Sequence, residues 1–356
     1  MMKKVIENVK FIQDGTLVFG DLHLEDGFVE RIEYKTPHME SDLALPGFID
    51  IHTHGCMGES GDICDVQRLQ ELALLYPMVG VTSFCPTISS RSLEAYIPII
   101  KAYQTAFSGA YRGAKFAGLH LEGPYLNPAC KGSIKESEIH SIHLSQLEEF
   151  LKEYHDVIAI MTIAPEVDHA MEAIRLLHLY GVQVSIGHSN ASYEQCVEAF
   201  EHGATQITHL GNAMPMIDHH KETMIDAIFL GDCLCELIMD GKHIQKYMLR
   251  WLIQLLGVHR ICAISDSKYA GSLPPLKQAS DENSLNYGYR DMLSTFQFLY
   301  KEMQYELLDC IQMCSLNAAK MLKTYIYEIG LGKPIDLVIL DHNMNIKDVI
   351  INGRSV

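Results

Sequence analysis

A single tryptophan stands in 356 residues, and 28 lysines and arginines are set against 45 aspartates and glutamates, a formal net charge of −17. So acidic a chain lacks the basic face with which proteins grip nucleic acid or an anionic membrane. A local patch for a phosphorylated small molecule stays compatible with it. Long apolar runs are missing too: no stretch approaches the roughly 18 residues needed to span a bilayer. The opening "MMKKVIENVKFIQDG" is basic without an apolar core, so no signal peptide is expected. The ten cysteines include no CxxC pair, Cys233 and Cys235 being closest, which suits reduced, mostly buried thiols in a cytoplasmic protein. Cys56 is the one thiol placed to touch a site. What is present, 48% hydrophobic and 21% charged residues, is the composition of a folding chain. A prior of about 150 residues per domain suggests two domains, although an α/β barrel absorbs about 250 alone.

Residues 1–43 and 334–356 read as short strands punctuated by Gly and Asp-Gly, and two such ends suggest one accessory β-sandwich built from both termini. Between them, residues 44–333 alternate. Apolar, β-branched runs recur at 44–52, 81–88, 116–123, 157–166, 182–189, 204–214, 234–243 and 260–267. Segments such as "SLEAYIPIIKAYQTAF" and "SYEQCVEAFEHG" lie between them with apolar residues at three- and four-residue spacing. Eight strands in repeating β–α order predict an α/β chain with a (β/α)8 TIM-like barrel; an open doubly wound sheet is the alternative.

Barrel active sites lie at the C-terminal ends of the strands. The first run, "LPGFIDIHTHG", ends in His52 and His54, which share a strand face at i and i+2. Such a pair is either satisfied by hydrogen bonds in a turn or bound to a metal. The other runs decide for metal. Glu122 ends the third, with His120 one layer deeper; His188 ends the fifth, His209 follows the sixth, His243 the seventh and Asp266 the eighth.

Four imidazoles and two carboxylates exceed one tetrahedral shell. They suit two divalent ions: His52, His54 and Asp266 on the first, His188 and His209 on the second, Glu122 bridging. Zinc, iron and manganese all accept such ligands, zinc being the leading expectation. Ions so placed lower the pKa of a water and polarise a carbonyl, and Asp266 is the expected acid–base for hydrolysis of an amide or imide C–N bond.

The stretches "PGFIDIHTHG", "GLHLEGPYLNP", "SIGHSNA", "THLGNAMP", "DGKH" and "GKPIDLVILD" resemble, nearly end to end, the amidohydrolase superfamily and within it the N-acetylglucosamine-6-phosphate deacetylases. The resemblance implies removal of acetate from a 6-phosphorylated amino sugar, usually by a homodimer, and the His52–His54 pair resembles the family's two-metal type. It implies metal ligation by Glu122, His188 and His209, acid–base work by Asp266, and substrate contacts from Asn212, Ala213 and His243. Two departures stand out. "KGSIK" places Ile134 where the family has a carbonyl-polarising histidine, with His140 or His143 as substitutes if the loop is rearranged. "MIDHHKE" lacks the family's phosphate-binding arginine, leaving His220 or Lys221 as the nearest cations unless they belong to a solvated loop. The family's glycine-rich stretch after the eighth strand is not evident; "SDENSLNYGYRDM" stands near it. These departures keep two other readings open: an amidohydrolase of a different amide, such as an N-acyl amino acid or cyclic imide, and an inactive sugar-binding homologue.

Overall fold

The computed structural model describes residues 3–36, 41–268, 287–323 and 329–356. Alternation in the first and last segments of the chain produces strands with one apolar face, and these gather into one seven-stranded sheet. Its order is Arg354–Ser355, Ile346–Ile351, Leu337–Leu340, Asp42–Pro46, Lys3–Gln13, Thr16–Glu25 and Phe28–Tyr34. The sheet curls back on itself, since Val29 N–H donates to Lys333 O at 3.0 Å and Phe28 bridges Pro334. Phe11, Leu22, Leu24, Val29, Leu337 and Ile350 fill the space enclosed.

The middle of the chain supplies eight parallel strands: β1 (Phe48–Thr53), β2 (Val81–Ser89), β3 (Leu119–Glu122), β4 (Ile158–Ile163), β5 (Gln183–Ile186), β6 (Ala204–Ile207), β7 (Leu234–Ile238) and β8 (Ile261–Ile264). They are hydrogen-bonded neighbours in chain order from β1 to β8. Helices run between them, for example Leu93–Phe107 and Tyr193–His202, the latter opened by a Ser192–Gln195 capping box. The fold is therefore the expected α/β barrel with a sheet from both termini. The apolar run at 44–52 is divided between the two: Asp42–Pro46 joins the terminal sheet and the barrel begins at Phe48. Both halves are buried, and hydrophobicity registers burial without registering which sheet provides it.

The barrel closes by its rim. Asp266 N–H donates to His52 O at 2.8 Å, and His54 N–H to Ser267 O at 3.1 Å. Below them the Asp50 carboxylate accepts from Ser265 N–H at 3.3 Å. The seam that joins the last strand to the first thus brings residue 266 against residues 52 and 54. Among the described residues, no helix is long and apolar enough to cross a membrane.

Candidate metal centre and cavity

Every side chain of the site lies at or just past a strand end, and three take an unusual backbone there. His188, His209 and Asp266 have φ of 49°, 30° and 45°, in the left-handed region. Each such residue costs of order 1–3 kcal/mol, which the surrounding fold must over-determine. Two glycines make room. A Cβ on Gly187 would meet Thr208 Cβ at 2.7 Å, and one on Gly288 would meet Ser265 O at 1.8 Å. Gly288 N–H also donates to Asp266 O at 2.7 Å, holding the turn after β8.

The arrangement converges on Glu122. Its Oε1 stands 3.0 Å from His188 Nε2 and 3.1 Å from His209 Nε2, and the two ring nitrogens are 3.1 Å apart. His54 Nε2 approaches the other oxygen, Oε2, at 3.6 Å. Asp266 Oδ1 lies 3.4 Å from His52 Nε2 and 3.3 Å from His54 Nε2. Two buried donor groups share the carboxylate: His52, His54 and Glu122; and Glu122, His188 and His209.

The donors fit a cation. His188 Nδ1 faces Cys130 O at 2.9 Å, and a carbonyl only accepts, so Nδ1 carries the proton and Nε2 the lone pair. That lone pair faces a carboxylate oxygen and a second imidazole nitrogen, which repel it unless a positive centre lies among them. Separations of 3.0–3.1 Å approach the edge, about 3.3 Å, of a tetrahedron with bonds of about 2.0 Å. On the other side, His52 Nδ1 donates to Glu236 Oε2 at 2.8 Å, while its buried Nε2 has no hydrogen-bond partner. An imidazole anchored through one nitrogen and orphaned at the other is the posture of a metal ligand. The third donor group, His52, His120 and Glu236, is not a cage of that kind. His120 spends Nδ1 on Ile51 O at 3.1 Å and Nε2 on Thr162 Oγ1 at 2.8 Å.

Charge follows this packing. Burial pulls the His52 pKa down, but the carboxylates of Asp266, Glu236 and Glu122 outweigh it and raise the group from 6.5 to about 10. Burial pulls His120 down to about 4, so it stays neutral. Burial raises the carboxyls of Glu122, Glu236 and Asp266, yet the surrounding imidazoles win and hold all three below their ordinary values. Lowered carboxyls contribute stability that is present above the usual 3.8–4.5 and lost as pH falls through their folded values. His52 contributes fully below 6.5 and loses its contribution as pH rises towards about 10. Chelated protein is therefore expected to melt highest between about pH 5 and 6.5 and progressively lower towards pH 10. Thermal unfolding in EDTA across this range checks it; a melting temperature still climbing from pH 7 to 9 contradicts it.

Above the cluster opens a cavity of about 720 Å³ whose wall includes His54, Glu122, His188, His209 and Asp266. Asn212, Ala213 and His243 line it as well. His243 is fixed by Nδ1 donating to Asp240 Oδ2 at 2.6 Å, and Asp240 also accepts from the backbone N–H of Lys242 and His243. Ile134 does reach the wall, and its apolar side chain offers no hydrogen bond there. Other expected residues are not brought to it. His140 and His143 line a separate pocket of about 180 Å³ behind Pro124, because His140 N–H is tied to Pro124 O at 3.0 Å. His220 and Lys221 are exposed on the loop before helix Met224–Leu230 and do not line the cavity. Cys56 is buried away from the wall, and burial pushes its thiol pKa up. Among the described residues, the lysine and arginine that line the cavity are Lys135 and Arg91, the latter paired with Asp62. Sequence reasoning missed these, and it missed Glu236; for Glu236 the signal was available, a carboxylate in the middle of the apolar run "LCELI". Of the stretch 280–292, residues 280–286 lie outside the described residues, and Tyr287 lines the cavity.

Residues 43–356 match the profile of the amidohydrolase family. Over 98% of its length the chain is 26% identical to N-acetylglucosamine-6-phosphate deacetylase of Bos taurus, covering 94% of that protein. It is also 26% identical to N-acetylgalactosamine-6-phosphate deacetylase of Escherichia coli O157:H7, over 96% of each chain. The crystal structure of N-acetylglucosamine-6-phosphate deacetylase from Thermotoga maritima superposes with a TM-score of 0.86 at 25% identity, covering 99% of both chains.

Proposed function

Since the chain belongs to the amidohydrolase family, we propose that it hydrolyses the acetamide of N-acetylglucosamine 6-phosphate, or of a closely related N-acetyl amino sugar phosphate, releasing acetate and the free amine in amino-sugar catabolism. The observation that carries this reading is the shared carboxylate. Glu122 offers one oxygen to His188 and His209 and the other to His54, at the floor of a cavity that also exposes Asp266. Full-length similarity to deacetylases of two amino-sugar phosphates supports the substrate class.

His52, His54 and Asp266 would hold one divalent ion and His188 and His209 another, with Glu122 common to both; zinc leads, and iron or manganese suit the same donors. Ions there supply Lewis acidity to a carbonyl oxygen and ease the ionisation of a water. The protein's own residues do the rest. Asp266, held ionised by the imidazoles around it, accepts a proton from the attacking water. It returns that proton to the sugar nitrogen as the C–N bond breaks, so that water and amide become acetate and amine. Asn212 and Ala213 hold the sugar from the turn after β6, and His243, braced by Asp240, holds it from the turn after β7. Ile134 lines the cavity with an apolar side chain and offers no hydrogen bond to the acetyl carbonyl.

The phosphate reading shifts from His220 and Lys221 to Lys135, which lines the cavity and has no ion-pair partner among the described residues. Acetate release from the 6-phosphates of N-acetylglucosamine and N-acetylgalactosamine is expected to exceed that from the unphosphorylated sugars and N-acetyl amino acids. Lys135→Ala is expected to raise KM for the phosphorylated sugars by roughly tenfold, the scale of one charge-assisted hydrogen bond. Equal rates on an N-acyl amino acid would favour a different amide substrate. Among the described residues no cysteine forms a disulfide, which supports a reducing, cytoplasmic setting. A homodimer belongs to the same reading, and light scattering on the purified protein checks it.

A further inference from the structure

We propose that Glu236, in the middle of β7, is a positioning residue that holds His52 in the tautomer and orientation of a metal ligand, and thereby decides whether the ion on the His52–His54 side is bound. The proposal rests on the metal-centre reading above and goes beyond it, because Glu236 itself points to no ion.

Both partners are wholly buried, and His52 Nδ1 lies 2.8 Å from Glu236 Oε2. An ionised carboxylate only accepts, so Nδ1 keeps a proton, and the nitrogen left to give up its own to a cation is Nε2, the atom that faces Glu122 and Asp266. Without the carboxylate nothing fixes which ring nitrogen is protonated, and half the ring's orientations turn a hydrogen towards the ion. The carboxylate in turn cannot rotate. Its Oε1 accepts from Gln206 Nε2 at 2.5 Å, and its Oε2 also accepts from the backbone N–H of His209 at 3.2 Å. Strands β6 and β7 therefore aim a residue of β1. His120 does not compete for it: its ring lies 3.9 Å from Glu236 and is saturated by Ile51 and Thr162.

The two halves of the centre are braced differently. His188 hands its Nδ1 proton to a neutral carbonyl, that of Cys130, whereas His52 hands its own to a buried anion. A carboxylate behind the ring strengthens the imidazole as a donor and offsets part of the charge of a second cation beside the first. Loss of Glu236 should then strike the ion on the His52–His54 side much harder than the other, which it reaches only through the backbone N–H of His209.

The test is a titration of chelated, refilled protein with zinc against a competing chelator, counting ions and affinities. The metal reading predicts two ions in the unaltered protein. Glu236→Leu is expected to weaken one of them by roughly 10–100-fold and the other, tied to Glu236 only through the His209 N–H, by less than about twofold. Glu236→Gln keeps an acceptor for His52, because Gln206 can turn its amide to meet the new NH2, and is expected to fall between the two. In a His52→Ala background, which already lacks that ion, Glu236→Leu is expected to change the remaining affinity by less than twofold. Two ions at unaltered affinity in both variants would overturn the proposal and leave the metal reading intact. Equal weakening of both ions with a lower melting temperature of the metal-free protein would also overturn it, marking Glu236 as merely structural. Failure of the unaltered protein to bind two ions would instead sink the metal reading itself.

Discussion

Asp266→Asn is expected to lower kcat for acetate release by about 10²–10⁴-fold, the usual worth of a positioned acid–base group. The substitution is chosen on backbone grounds as well as chemical ones. Residue 266 has a φ of 45°, a conformation that asparagine adopts as readily as aspartate and alanine less readily. Asparagine also keeps a carbonyl oxygen within reach of His52 and His54, so an ion on that side is weakened rather than lost. What it cannot do is take a proton from water and give it to the leaving nitrogen. The loss should therefore fall on kcat and kcat/KM together, with KM little changed. The acidic limb of the pH–rate profile, which reports ionisation of a carboxyl held below its ordinary value, should disappear with it. Metal content measured on the same preparation separates the two contributions. A metal-loaded Asp266→Asn protein keeping more than about a tenth of the rate would remove Asp266 from the mechanism, since even the low end of acid–base catalysis is larger than that.

The parts of this protein that were legible in its sequence share one property: they sit where a regular pattern stops. A run of apolar, β-branched residues ending in His188 or in Asp266 announces both the strand and the polar group at its end, because parallel strands buried on both faces leave no other reason for the polarity to appear there. The pair His52 and His54 is legible by parity, since i and i+2 share a face. Loops carry no such period. The sequence after β3 leaves His140 or His143 free to reach the substrate, but the segment folds so that Lys135 and Ile134 reach the cavity while His140 is pinned to Pro124. Proximity in sequence points to His220 and Lys221, but the turn of chain before Met224–Leu230 leaves them in solvent. Glu236 was hidden for the opposite reason. It lies inside a strand that reads as apolar, and its role depends on a pairing with a residue 184 positions away that no local pattern encodes.

Glu122→Gln is expected to affect the centre more broadly than any single histidine change, because Glu122 is the one side chain common to both donor groups. His188→Ala removes a ligand from one side, and His54→Ala from the other. Replacing the Glu122 carboxylate with an amide takes negative charge from between His52, His188 and His209 at once, and puts an NH2 where at least one nitrogen lone pair or cation must face it. Ion content should fall from two per chain to less than one, and acetate release by at least about 10²–10³-fold, the scale at which loss of one preorganised electrostatic group is felt in acyl transfer. Stability gives an independent reading. A ligand present at 100 times its Kd stabilises the folded state by about 2.7 kcal/mol. Zinc should therefore raise the melting temperature of the unaltered protein twice over, that of His188→Ala or His54→Ala once, and that of Glu122→Gln hardly at all. Because glutamine preserves volume and leaves the strand β3 backbone untouched, a folded Glu122→Gln protein is expected, and circular dichroism verifies it before the metal is counted. Retention of one tightly held ion per chain in that variant would mean that His188 and His209 bind metal without Glu122, and the shared-carboxylate account of the centre would have to be abandoned.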